Sequence, residues 1–286
     1  MADKISTTAL AKLRNTEVQQ LFKTLKNAGY VNRHEDAWLL TEIGKKFGGE
    51  YLQHPKYGQY IVWPENLLID CSSSSGKPLS ATQLGQRFSL NPKKVNQLLQ
   101  ELGWLHKADN GWQITNNGLK IGGYQKLDRQ NDQQYALWHD SIVHNKRFKR
   151  SVLEFSGQQA EQYSTNKSIY HFRQKFEAKY RTLDGHYVRS KGELKIDNWL
   201  YMNGIIHAYD RQLPVEEDIL SNFYLPSGKV YLQYWGSDNF TDIEKEKIQA
   251  IYHNNQFNLI EIESKEIDRL DDTLPAKLKE FGISAY

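Results

Sequence analysis

A unit of about 65 residues occurs twice in the first half of this chain, and the repeat limits the folds open to it. Ile5 to Leu10 matches Leu79 to Leu84 at an offset of 74. The same offset pairs Gly29-Tyr30-Val31 with Gly103-Trp104-Leu105, Trp38 with Trp112, and Leu40-Thr41 with Ile114-Thr115. Gly44, Gly48 and Gly49 fall on Gly118, Gly122 and Gly123. With one residue inserted, Gln59 to Trp63 meets Gln134 to Trp138. Residues 5–69 and 79–143 are therefore two copies of one unit, joined by the Ser- and Gly-rich stretch Cys71 to Pro78.

Each copy carries the same local signals. Ser6 and Ser80 cap a first helix that runs to Leu13 or Phe88. After a turn, a second helix spans Thr16 to Asn27, with Val18, Leu21, Phe22 and Leu25 at helical spacing. Its counterpart spans Pro92 to Leu102, with Pro92 at a position that needs no amide hydrogen. Gly29 and Gly103 end these helices. Short strands at Tyr30 to Asn32 and Trp38 to Leu40 follow, matched by Trp104 to His106 and Trp112 to Ile114. Thr41 and Thr115 cap a last short helix. Helix, turn, helix and a two-stranded wing is the order of a winged helix-turn-helix module.

Such a module binds DNA through polar and basic residues on its second helix. The first copy offers Gln19, Gln20, Lys23 and Lys26; the second offers Lys93, Lys94, Asn96, Gln97 and Gln100. Lysines hold phosphate, while Asn and Gln can read adenine edges. After the repeat comes a basic run, Lys146, Arg147, Lys149 and Arg150 around Phe148, which suits a nucleic-acid backbone. Residues 1–150 hold 21 Lys and Arg against 13 Asp and Glu, whereas the remainder is acidic. A basic first half fits a polyanion partner. Docking a protein is the competing use of such modules.

In the second half, Ile169, Phe172, Phe176 and Tyr180 recur at helical steps from Ser168. Ser190 and Glu193 form a capping-box pair that opens an amphipathic helix. Downstream, two β-rich runs flank Ser227-Gly228: Asn222 to Pro226 (NFYLP) and Lys229 to Gly236 (KVYLQYWG). A hairpin turning at Ser227-Gly228 sets Tyr224 opposite Tyr231 and Asn222 opposite Gln233. A strand over Phe257 to Glu263 and a helix over Pro275 to Phe281 complete the reading.

The helix with Glu193 and the hairpin with these two runs resemble the core of the PD-(D/E)XK (restriction-endonuclease-like) nuclease superfamily, over residues 168–286. The resemblance implies a mixed-sheet α/β fold and DNA phosphodiester hydrolysis with Mg2+ or Mn2+. It places the metal on Glu193 and on positions 222 and 233, where the family has Asp and Glu. Here those positions are Asn222 and Gln233. The family's usual lysine position holds Trp235, so the resemblance shifts that role to the next helix, to Lys247 or else Lys245. With two charges gone, the remaining carboxylate is too little to bind Mg2+ tightly. Both swaps keep the acid's shape, which fits deliberate inactivation, with a pseudonuclease as the alternative.

The resulting expectation is a multidomain chain. Two winged helix-turn-helix modules (1–70 and 79–145) and a linker (146–167) precede an α/β nuclease domain (168–286). It is read as a deoxyribonuclease inactive in this form, with a non-catalytic DNA-binding regulator or a protein-interaction module as rivals. DNA is the expected partner, and a homodimer or a protein partner stays open. No run of about 18 apolar residues predicts a membrane span, and the start shows no apolar signal segment, so a cytoplasmic protein is expected. One cysteine, Cys71, rules out an internal disulfide. No P-loop, GxSxG or CxxC motif is present.

Overall fold

The apolar spacing of the repeat becomes two matching sets of elements. The computed structural model describes residues 4–56, 58–70, 76–157, 178–217, 219–236 and 240–285. The joint at Cys71 to Ser75, the later part of the expected linker (158–167) and the expected helix residues Ile169, Phe172 and Phe176 lie outside the described residues. The chain is mixed α/β and divides into two compact units, Met1–Gln158 and Gln159–Tyr286.

In the first unit, α1 (Thr7–Leu13), α2 (Val18–Asn27), β2 (Val31–His34), β3 (Ala37–Leu40) and α3 (Glu42–Lys46) form one series. They match α4 (Ala81–Phe88), α5 (Pro92–Glu101), β7 (Leu105–Ala108), β8 (Gly111–Ile114) and α6 (Asn116–Lys120) at the offset seen in the sequence. Caps fall where the sequence puts them. Ser6 accepts from the Ala9 amide, Ser80 closes a full capping box with Gln83, and Thr41 and Thr115 accept from Gly44 and Gly118. Gly29 and Gly103 leave their helices at φ of 77° and 72°, which other residues adopt only with strain. Flanking strands close each copy: β1 (Lys4–Ser6), β4 (Glu50–His54) and β5 (Gly58–Pro64), then β6 (Leu79–Ser80), β9 (Gly123–Leu127) and β10 (Gln134–Trp138). The β1-β5-β4 sheet and the β6-β10-β9 pairings are antiparallel, and β10 also meets β8 in parallel.

The two copies share contacts. The buried Asn32 amide of the first donates to the Leu119 and Gly123 carbonyls of the second, at 3.2 and 2.7 Å. His139 Nε2 lies 3.0 Å from the Asn27 carbonyl, and Arg147 pairs with Glu42. The expected linker at 146–167 is corrected over its first part. Lys146–Ser156 forms α7, whose Phe148 and Val152 are buried among Val95, Leu98 and Leu99 of α5. The basic run hid an amphipathic helix, because only Phe148 and Val152 of it are buried and Phe155 is exposed.

In the second unit a mixed four-stranded sheet runs β13 (Ala208–Gln212), β14 (Leu220–Leu225), β15 (Val230–Trp235), β16 (Asn258–Glu263). The first two pairings are antiparallel and β15–β16 is parallel. The hairpin register is the expected one, with Tyr224 opposite Tyr231 and Leu225 opposite Val230. One face of the sheet packs Phe223, Leu225, Val230 and Leu232 against α8 (Lys191–Met202) and α10 (Leu270–Lys279). The other packs Tyr224 and Tyr231 against Tyr252 of α9 (Asp242–Asn254). Two elements depart from expectation. Tyr180 does not continue a helix but lies in β11 (Tyr180–Arg181), paired with β12 (Tyr187–Val188). The last helix starts at Leu270, with Pro275 inside it, and ends before Phe281. Acidic Asp271 and Asp272 open that helix, a favourable charge for its N-terminus and the local signal for its true start.

Candidate functional site

Glu193 sits in the first turn of α8 because the capping box puts it there. Ser190 Oγ accepts from the Glu193 amide at 3.1 Å, and Glu193 Oε2 accepts from the amides of Ser190 (2.9 Å) and Arg189 (3.0 Å). The helix start runs so close to Tyr234 that a side chain on Gly192 would meet the tyrosine ring at 2.3 Å. This approach brings Glu193 to the hairpin. Asn222 Nδ2 donates to Glu193 Oε1 at 2.6 Å, and Asn222 Oδ1 accepts from the Tyr234 amide at 2.7 Å. Its two partners, one acceptor-only and one donor-only, fix the orientation of the amide. The β14–β15 register runs as far as Phe223 and Leu232, and the Asn222 side chain takes the Tyr234 amide beyond it.

Around this pair the groups are buried and charged. Tyr209 donates its hydroxyl to Glu193 Oε2 at 3.3 Å, and the hydroxyl oxygen accepts from the Arg189 amide at 3.1 Å. The Arg189 guanidinium lies 2.6 Å from Asp210 and 3.5 Å from Glu193. Burial works against the Arg189 charge, but Asp210, Tyr209 and Glu193 outweigh it and hold the pKa above its usual value. Burial, with Glu193 and Asp210 beside it, pushes the Tyr209 pKa well up, so its hydroxyl stays a donor.

Gln233 is buried beside Glu261 on the α9 side of the sheet, so it does not join Glu193 and Asn222 as the resemblance implied: strand alternation puts it on the face of Tyr231, opposite α8. Its Oε1 has no hydrogen-bond partner, a cost of about 1–3 kcal/mol for a buried acceptor. The lysines behave differently from expectation. Lys247, the first choice for the family's lysine, is exposed on α9. Lys245 pairs with Glu263 and lies 5.3 Å over the Trp235 ring. Gln249, on the same side of α9, donates to Glu261 at 2.6 Å. The cation beside Glu193 is Arg189, a residue that sequence reasoning missed.

A cleft of about 470 Å³ opens next to this cluster, lined by Asp184, His186, Arg189, His207, Tyr209 and Asp210. Beneath it lies Asp197, wholly buried one helical turn after Glu193 on α8. The spacing of four between two acids was the sequence signal for this face, since i and i+4 side chains are neighbours. His186 and His207 are 21 residues apart, so no local motif pointed to them. His207 is pulled two ways. Burial lowers its pKa, but hydrogen bonds to Asp197 and to the Ile205 carbonyl leave it raised. Asp184 is likewise opposed by burial, but the Thr182 hydroxyl and the His186 amide leave its pKa lowered.

Comparison with family models, with curated proteins and with solved structures finds no match to this chain. Glu193 accepts from two amides, a tyrosine, an asparagine and an arginine, which saturates its oxygens. Asn222 turns its donor, not its oxygen, toward Glu193. As they stand, these residues do not fit a hard divalent cation, which takes several free oxygen ligands.

In the first unit the residues expected to contact DNA differ in exposure and pairing. Lys23, Lys93, Lys146 and Lys149 are exposed. Lys26 lies over the Tyr124 ring and Lys94 over the Phe155 ring, at 5.5 and 5.3 Å. Asn96 and Gln97 are half-buried. Arg150 pairs with Glu154, and Arg147, paired with Glu42, also covers the Trp104 ring. Among the described residues, no helix is long and apolar enough to cross a membrane.

Proposed function

We propose that the second unit is a PD-(D/E)XK-type nuclease core held in a metal-free, inactive form, and that the first unit binds DNA through two winged-helix modules. One observation carries the nuclease reading. Asn222 Nδ2 and Glu193 Oε1 meet at 2.6 Å, across the helix and hairpin that the family resemblance joins. An amide there satisfies the carboxylate by hydrogen bonding. Two acids at that separation would repel and would need a cation or a shared proton between them.

The test restores both acids. Asn222→Asp with Gln233→Glu is expected to cleave DNA in Mg2+ or Mn2+, and the chain as given is not. Adding Glu193→Gln to the double variant should abolish that cleavage. A folded double variant that binds DNA but never cuts it overturns the nuclease reading and leaves a non-catalytic DNA-binding protein.

DNA binding is tested separately. The log of affinity against the log of salt concentration should fall linearly. Replacing Lys23 and Lys93 by Ala is expected to lower that slope by up to about 2, one for each phosphate no longer neutralised. An unchanged slope removes those two helices from the interface.

A further inference from the structure

The structure assigns a second site to the cleft: Asp184, Asp197 and His207 form a binding site for a borderline transition-metal ion of the Zn2+ class. This inference does not rest on the nuclease reading. Asp184 and His186 come from the turn between β11 and β12, Asp197 from α8, and His207 from the segment before β13. One ligand atom each from Asp184, Asp197 and His207 all lie within 4.8 Å of one another. His186 bridges the two carboxylates, with Nδ1 2.7 Å from Asp184 and Nε2 2.8 Å from Asp197. His207 Nε2 lies 3.3 Å from the same Asp197 oxygen. Ligands at zinc bond lengths of about 2.0–2.2 Å stand roughly 3.3–3.6 Å apart around a tetrahedral ion, so small side-chain shifts would close the set.

Three features point to a ligand rather than to a bare charge network. Asp197 is wholly buried, yet its Oδ1 has no hydrogen-bond partner. A buried carboxylate with a free oxygen is costly unless something charged completes it. Next, the His207 ring is already fixed. Its Nδ1 faces the Ile205 carbonyl at 2.9 Å, which can only accept, so Nε2, now turned to Asp197, is the nitrogen that would meet an ion in exchange for its proton. The cleft above gives an ion and a water ligand a way in. One imidazole with two carboxylates, and a water in the fourth position, suits Zn2+ or its neighbours, whereas Mg2+ prefers oxygen alone. A bound ion would clamp the β11–β12 hairpin to the helix that carries Glu193.

Equilibrium dialysis of the full chain against Zn2+, followed by metal analysis, tests this. One ion per chain should be retained, with no comparable retention of Mg2+. Asp197→Asn keeps the shape and burial of the residue and should weaken Zn2+ binding by at least about 100-fold, beyond what loss of an outer-sphere partner does. His207→Gln should do the same, and guards against a fold defect in the first variant. His253→Gln, at an exposed histidine on α9, should leave retention unchanged. With Co2+ in place of Zn2+, the visible spectrum should show a low-symmetry site that Asp197→Asn abolishes. No retained Zn2+, or undiminished retention in both ligand variants, overturns the assignment.

Discussion

Asn222→Asp alone is expected to destabilise the second unit by about 3–5 kcal/mol at neutral pH without metal, as an uncompensated buried charge does. The substitution removes the Nδ2–H that Glu193 Oε1 accepts at 2.6 Å and puts a carboxylate oxygen in its place. The other oxygen can still accept from the Tyr234 amide. The pair then shares one burial site and one sign of charge. Repulsion raises the pKa of the introduced carboxylate above its unfolded value of about 3.9. A group raised in the folded state contributes stability below its unfolded pKa and loses it as pH rises through the folded one. The penalty should therefore be small near pH 4 and grow toward neutrality. Mg2+ or Mn2+ should recover part of it, because an ion that binds only the folded chain stabilises it by mass action. Urea unfolding at several pH values, with and without metal, measures all three effects. A pH-independent loss with no response to metal would show that the two side chains are not in contact.

Much of the fold was legible because its signals are local. Caps, glycines at positive φ and helical spacing repeat at one offset, so each copy checked the other. The hairpin register was legible too, since Ser227-Gly228 leaves few ways to pair the flanking runs, and Tyr224 meets Tyr231 as expected. Neither β13 nor the β11–β12 hairpin was found. Both are short and carry polar residues such as Asp210, Arg211 and Tyr187, which give no alternation to read. The contact of Glu193 with Asn222 followed from family resemblance more than from spacing. The rest of the cluster did not follow from either. Arg189, Tyr209, Asp210 and the His186–Asp197–His207 group come from separate parts of the chain, and only folding brings them together. On α9 the sequence did not tell the two lysines apart. Lys245, Ile248, Gln249 and Tyr252 turn toward the sheet, while Ile243 and Lys247 stay in water.

Phe148→Ala should cost about 3–5 kcal/mol in the first unit, the usual range for removing a wholly buried phenylalanine. In a linker the same change would cost almost nothing, so the experiment separates the two readings of the basic run. The ring meets Phe88 edge-on, with centroids 5.3 Å apart and planes at 85°, a favoured aromatic geometry. Around it, Val95, Leu98 and Leu99 of α5 and Val152 of α7 complete the packing. Truncation would leave a cavity that these side chains fill only in part, since Phe148 holds α7 against the second copy. The charged neighbours give the contrast. Lys146 and Lys149 are exposed on the same helix, and replacing either by Ala should shift stability by under about 0.5 kcal/mol. Denaturant midpoints for the three variants decide the matter. A Phe148→Ala midpoint equal to that of the parent chain would mean that α7 does not pack on this core.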